Sequence, residues 1–239
     1  EALTADSENE KDWARLCEIF RNPSLQMVSF TITEKGYLLR NASGVAMPGV
    51  EEDFAQGPVL PKSYIGKVVT LIHERYVNGE LPLAVVSMDN CSHNGDKIAA
   101  AVIEFATEWE NRGVCKPGFL SYVTNESKIS FPWTMIDKIT PRPDAKIEKI
   151  LADDGIEQLE PVITSKKTYV APFVNAEEVQ YLVIEDKFPN GRPELEKAGL
   201  YFTDRETVDK VEKMKVCTCL NPLHTFLAVS GCLLGYTLI

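Results

Sequence analysis

The sequence predicts an α/β protein, a doubly wound parallel-sheet domain followed by the start of a mainly helical domain. Three observations point there. Strand and helix patterns alternate over roughly the first half of the chain. Residues 83–88 form a near-continuous apolar run, as a strand buried on both faces requires. From Val208 onward the pattern turns helical.

Residues 10–20 place Trp13, Leu16, Cys17 and Phe20 at helical spacing, and Asn22-Pro23 stops that helix. Residues 25–33 read as a strand with Val28, Phe30 and Ile32 on one face, and Gly36 follows as a turn. Residues 41–61 carry glycine and proline throughout and read as a loop. Residues 63–76 are helical, with Ile65, Val68, Val69 and Ile72 apolar. After the strand at 83–88, Asn94-Gly95 opens a helix over 96–109. Residues 129–139 read as extended, 145–152 as a short helix, and 169–184 as strand mixed with loop. A composition shift near Arg205 sets a domain boundary between 195 and 210, giving domains 1–205 and 206–239.

The composition is ordinary for a globular chain of 239 residues, 44% hydrophobic and 25% charged, enough for one large core or two small ones. A net charge of -10 argues against a nucleic-acid partner, which requires a basic face, and suits a cytoplasmic protein. Six cysteines, Cys17, Cys91, Cys115, Cys217, Cys219 and Cys232, mostly flank apolar residues and read as reduced, packed side chains. Cys217 and Cys219 lack the second pair a zinc site needs, so no metal is expected. The polar start carries no signal peptide, and residues 225–239 are too short for a membrane span, reading instead as a buried helix. Both ends look cut from a longer protein.

The chemistry concentrates in one run, in which Lys215, Asn221 and His224 stand beside an apolar stretch. Burial disfavours the charged form of a lysine, so one held among apolar neighbours can act as a general base. An asparagine amide can donate to an oxyanion, and a histidine can bind a substrate hydroxyl. Such a set suits reversible carbonyl/alcohol chemistry without a metal. A straight α-helix sets Lys215 and Asn221 about 120° apart, so a bulge or a break before Pro222 is needed to re-aim both. Asn221 next to Pro222 also reads as a helix N-cap.

That run resembles the signature of the polyol-specific long-chain dehydrogenases and reductases, the family of mannitol 2-dehydrogenase and fructuronate (mannonate) reductase. Four further segments resemble it in the same order. They are the stretch from Thr31 to Tyr37, Ser87-Met88-Asp89-Asn90 with Asn94-Gly95, Phe131-Pro132 through Ile139, and Val183-Ile184-Glu185-Asp186 with Gly191-Arg192-Pro193. The five span nearly the whole chain. One departure is the five residues between Lys215 and Asn221, where many members have four.

The resemblance implies that residues 1–205 are the C-terminal portion of a Rossmann-like dinucleotide-binding domain. Its Gly-rich turn would lie before Glu1, since no G-x-G-x-x-G occurs here. Residues 206–239 would begin a helical substrate and catalytic domain. The activity implied is NAD(P)-dependent and zinc-independent, with NAD favoured, interconverting a 2-keto sugar or keto sugar acid and its alcohol. Fructuronate/mannonate is favoured over fructose/mannitol. Lys215 would be general base and acid, Asn90 and Asn221 the oxyanion donors, and His224 a substrate-hydroxyl ligand. Glu34 and Glu212 would relay protons, and Asp137 would sit at the substrate site. Glu34, Asp89 and Asn90 follow strand ends where such folds bind their dinucleotide. Arg192 offers a bidentate partner for a carboxylate, though its segment also reads as a turn. His93 reads as helix capping or exposure. The isolated chain is not expected to turn over. The rival reading is a non-catalytic sugar-binding or regulatory domain derived from such an enzyme. Neither nucleic acid nor membrane is an expected partner.

Overall fold

A computed structural model describes residues 3–138, 142–163, 167, 169–176, 178 and 181–236. Helix α1 (Glu10–Arg21) starts where the Asn9 side chain accepts from the Asp12 amide, and it ends one residue before Asn22-Pro23, as expected. Strand β1 (Met27–Phe30) is shorter than residues 25–33 because the chain turns off at Thr33, where φ is +63°. It enters a single helical turn, α2 (Thr33–Gly36), which replaces the expected turn at Gly36.

The expected loop 41–61 holds a helix, α3 (Val50–Gln56). Its glycines punctuate rather than forbid helix: Gly49 and Gly57, both at positive φ, bracket it, and Phe54 is fully buried. Asp53 turns the chain back by accepting from the amides of Lys62 and Ser63 and from the Ser63 hydroxyl. Ser63 then caps α4 (Tyr64–Val77) through the Gly66 amide. β2 (Leu83–Ser87) is buried along its whole length, as its apolar run requires. α5 (Asn94–Arg112) ends at Gly113 in the left-handed conformation. α6 (Phe119–Thr124) was not foreseen, being too short for a periodic signal. Among the described residues β1, β2 and β3 (Ile129–Ser130) form a parallel sheet in that order, with Phe30 opposite Ser87 and Leu83 opposite Ile129.

The extended stretch 129–139 is split. Proline at 132 offers no amide to a ladder, and the chain leaves the first sheet before β4 (Thr134–Asp137). Ile139 lies outside the described residues. Next come α7 (Ala145–Asp153) and an antiparallel pair, β5 (Val162–Ile163) and β6 (Tyr169–Val170). β7 (Tyr181–Glu185) follows, then a 3-10 turn at Leu195–Ala198 and β8 (Tyr201–Thr203). The second sheet runs in the order β4-β7-β8, with β7 and β8 parallel.

Two compact units result, one from Glu1–Met135 with Val183–Ile239 and one from Ile136–Leu182. The boundary expected at 205/206 is not a boundary of compactness. Helix α8 (Arg205–Val211) buries Val208 against Trp133, Met135 and Val183 of the first unit. The composition shift there marks a change of element type.

α8 continues without interruption into a π-helical segment, Glu212–Leu220, and then α9 (Asn221–Leu233). The resulting helix, Arg205–Leu233, has 29 residues and is apolar and long enough to cross a membrane by length and composition, a test that core helices of soluble proteins also pass. The apolar stretch read from residue 225 onward is the end of this longer helix. The expectation of burial is corrected: no described residue of α9 is buried, and Leu223, Phe226, Val229 and Leu233 are exposed. Cys217, Cys219 and Cys232 are exposed for the same reason, whereas Cys17 is buried and Cys91 and Cys115 are partly so.

The first unit's core includes a buried histidine. His73 rests among Tyr76, Trp109 and Phe119, and its Nε2 has no hydrogen-bond partner among the described residues. Burial pushes its pKa below the usual value, with the Glu74 carboxylate opposing. The folded state therefore binds the proton less well than the unfolded chain. Stability is fully present above about pH 6.5 and is lost as pH falls from there toward the folded pKa, at no more than about 1.4 kcal/mol per pH unit. Urea unfolding of wild type and His73→Phe between pH 7.5 and 5 checks this. The variant is expected to lose less stability on acidification, and parallel curves would sink the assignment.

Candidate active site

The adjacent carboxyl ends of β1 and β2 are tied together by Asp89. One carboxylate oxygen accepts from the Thr33 amide at 2.8 Å; the other accepts from the Ile32 amide at 3.0 Å and from the Tyr37 hydroxyl. Burial and then Asp89 push the Tyr37 phenol well above its ordinary pKa, so it keeps the proton it donates. Ser87 lies 2.5 Å from the same phenol and accepts from the Asp89 amide. Both Asp89 oxygens are thus engaged by the protein and the residue is buried. In this arrangement it positions the strand ends.

Asn94 performs the matching task toward the second sheet. Its amide nitrogen donates to the Asp89 carbonyl, the Thr134 carbonyl and the Thr134 hydroxyl, and its oxygen accepts from the Thr134 amide. Beside it, a Cβ on Gly95 would stand 2.5 Å from the Phe131 carbonyl oxygen, so only glycine fits. In the sequence, Asn94-Gly95 reads as a helix opening and as part of a family motif, and neither signal gives the partners of the Asn94 side chain. Asn94→Ala leaves buried donors and acceptors unpaired and is expected to cost about 2–3 kcal/mol in urea unfolding with an unchanged slope; a cost below roughly 0.5 kcal/mol would refute this role.

Between these anchors runs the turn 90–93, which leaves Asn90 exposed. The Cys91 thiol is pushed up to about 11, chiefly by burial; Lys97 opposes, while Asp89, Glu34 and Glu212 add to it. The expected relay residues Glu34 and Glu212 therefore both lie within electrostatic reach of this turn, one from each end of the chain. Glu34 is exposed and paired with Lys97 at 3.0 Å, whereas Glu212 is buried. Glu34, Lys35, Tyr37, Leu38 and Lys97 line an open pocket of about 410 Å³.

Lys215 lies in the π-helical segment with its Nζ withdrawn from solvent. A π-helix bonds i to i+5, one residue wider than the α-helix, and the Thr218 hydroxyl donating to the Lys213 carbonyl spans that interval. The fifth residue between Lys215 and Asn221 is taken up in this way. The helix does not break before Pro222, since Leu220 is helical at φ -64°. Nor is Asn221 an N-cap: it lies inside α9 with no side-chain cap bond there, and it and His224 are exposed.

Two further residues were expected as substrate ligands. Asp137 belongs to the second unit, at the end of β4. Arg192 is held by Asp186 at 2.9 Å and Glu196 at 2.6 Å, with its guanidinium 3.8 Å from the Phe202 ring centroid. A guanidinium with two carboxylates already in place pins its own turn. The alternative reading of that segment, a turn, is what the structure has.

A parallel sheet with polar side chains gathered beyond its carboxyl ends is the arrangement of an open α/β fold, whose ligands bind in the crevice outside those ends. The chain belongs to the mannitol dehydrogenase family: the model of the mannitol dehydrogenase Rossmann domain matches residues 3–197. It is 53% identical over 238 residues to the D-mannonate oxidoreductase of Thermotoga maritima, covering 99% of this chain and 44% of that protein. Two solved structures share its fold. A D-sorbitol dehydrogenase in substrate-free form matches with a TM-score of 0.72 at 30% identity, over 95% of this chain and 43% of that one. Pseudomonas fluorescens mannitol 2-dehydrogenase, in a ternary complex with NAD and D-mannitol, matches with a TM-score of 0.69 at 31% identity, over 95% and 42%. The chain thus spans less than half the length of these relatives.

Proposed function

We propose that this chain forms part of an NAD(P)-dependent oxidoreductase, NAD being favoured, that interconverts a 2-keto sugar acid and its alcohol. Fructuronate and mannonate are the preferred pair, with fructose and mannitol second. The observation that carries the reading is that the turn holding Asn90, the relay carboxylates Glu34 and Glu212, and the helix bearing Lys215 share one neighbourhood beyond the ends of β1 and β2. The 53% identity to a D-mannonate oxidoreductase supports the sugar acid.

The open pocket beside Glu34 and Lys97, with polar rims and an apolar wall at Leu38, fits the reactive end of a dinucleotide. Glu34 and Asn90 would hold it there, and when bound it supplies or accepts the hydride. Lys215 gives a proton to the carbonyl oxygen during reduction and takes it from the hydroxyl during oxidation. Asn90 and Asn221 donate to the oxygen while it carries negative charge. His224 binds a neighbouring hydroxyl, and Glu212 and Glu34 pass the proton toward solvent.

The test is NADH oxidation by the natural full-length protein, with fructuronate and with fructose. Turnover with one names the substrate. A folded protein that binds no NADH would overturn the reading in favour of a non-catalytic sugar-binding domain.

A further inference from the structure

His93 ends the turn that carries Asn90, and its backbone is left-handed at φ +51°, a conformation unfavourable for a residue with a side chain. Two contacts hold it there. The ring stacks on Trp133 with centroids 4.1 Å apart and planes 20° from parallel. Its Nε2 lies 3.2 Å from Oδ1 of Asp209 on α8. Asp209 is fixed in turn by Lys213 at 2.5 Å. At the start of α8, Arg205 lies over the same Trp133 ring, 4.8 Å from its centroid, and pairs with Glu185 at 3.0 Å.

Asp209 stands three residues before Glu212 and six before Lys215, about 9 Å along the axis. The helix is anchored over its first turns, while α9 beyond buries no described residue. A helix held at one end transmits any slack in the anchor to the residues further along it. We propose that His93 and Asp209 are positioning residues, which hold Asn90 and Lys215 in register through a hydrogen bond made against the Trp133 ring. The proposal rests on the proton-transfer reading of Lys215.

His93→Ala, Asp209→Ala, their combination and Asp209→Asn in the natural full-length protein test it, with Lys215→Ala as control. A displacement near 1 Å at a reacting group costs on the order of 10²-fold. Each alanine variant is therefore expected to lower kcat by roughly 10- to 100-fold with KM for NADH unchanged. The double variant should be no worse than the worse single one, as coupled sites require. Asp209→Asn, whose amide oxygen still accepts from the imidazole, should recover most of the rate. Amide hydrogen exchange over residues 212–220 should quicken in His93→Ala and not in Asp209→Asn. Folded alanine variants with wild-type kcat, or additive losses, overturn the proposal. If Lys215→Ala is as active as wild type, the proton-transfer reading fails instead. Exchange still judges the anchor in that case, and unchanged protection in His93→Ala sinks it.

Discussion

Lys215→Ala, made in the natural full-length protein, is expected to lower kcat for keto-acid reduction by about 10²–10⁴-fold, the range one positioned proton donor supplies. KM for NADH should not move, because the side chain acts on the oxygen being reduced. The expectation rests on where the lysine sits. Its Nζ is withdrawn from solvent, and it follows the buried Glu212 by three residues in a helix docked through Val208. Lys215→Arg separates proton transfer from charge. A guanidinium keeps its proton near neutral pH and cannot serve as a base, so that variant should remain inactive while folding normally. A lysine with a merely structural role would give the opposite pattern, a lowered melting temperature with kcat kept. Steady-state kinetics beside thermal unfolding distinguish the two.

The second large effect concerns stability. Arg75 is fully buried, and its guanidinium donates to five backbone carbonyls: Phe20 and Asn22 where α1 ends, Leu25 ahead of β1, and Leu81 and Pro82 ahead of β2. It binds the end of one helix to the starts of two adjacent strands. Burial lowers its pKa, partly offset by Tyr122, so the charged group is held at a desolvation cost. Arg75→Met removes that cost but leaves the Phe20 and Pro82 carbonyls without a donor among the described residues, while those of Asn22, Leu25 and Leu81 keep the Leu25 amide, Asn190 and Tyr122. Each buried orphan costs about 1–3 kcal/mol. The net expectation is a loss of roughly 3–5 kcal/mol, a large part of the 5–15 kcal/mol that typically holds a domain. Arg75→Lys should recover little, since one ammonium cannot reach carbonyls on both sides of the fork. Urea unfolding decides it, and a loss under about 1 kcal/mol would refute the accounting.

Much of the first unit was legible because its signals are local. Apolar residues at helical spacing announced α1 and α4, and a run of buried residues announced β2. Asn22-Pro23 and Ser63 act on their immediate neighbours. The same locality misled at residues 41–61, where α3 is held by Asp53 reaching to Lys62 and Ser63. It misled again at 129–139, where one extended stretch serves two sheets. The family signature was legible as ordered motifs, yet it said nothing of how a fifth residue fits between Lys215 and Asn221. A π-helical segment absorbs it.

By itself the sequence determined the family and the elements with a strong periodic signal, α1, α4, β2 and α5, because periodicity and motif order are properties of neighbours along the chain. Only the tertiary structure decided which polar side chains are left for a ligand. Asp89 is consumed by Ile32, Thr33 and Tyr37, and Arg192 by Asp186 and Glu196. His93, a turn residue when read in sequence, meets Asp209 across 116 positions. Hydrogen-bond capacity is finite and is satisfied by partners distant in sequence, so which groups remain available follows from the fold and not from the string.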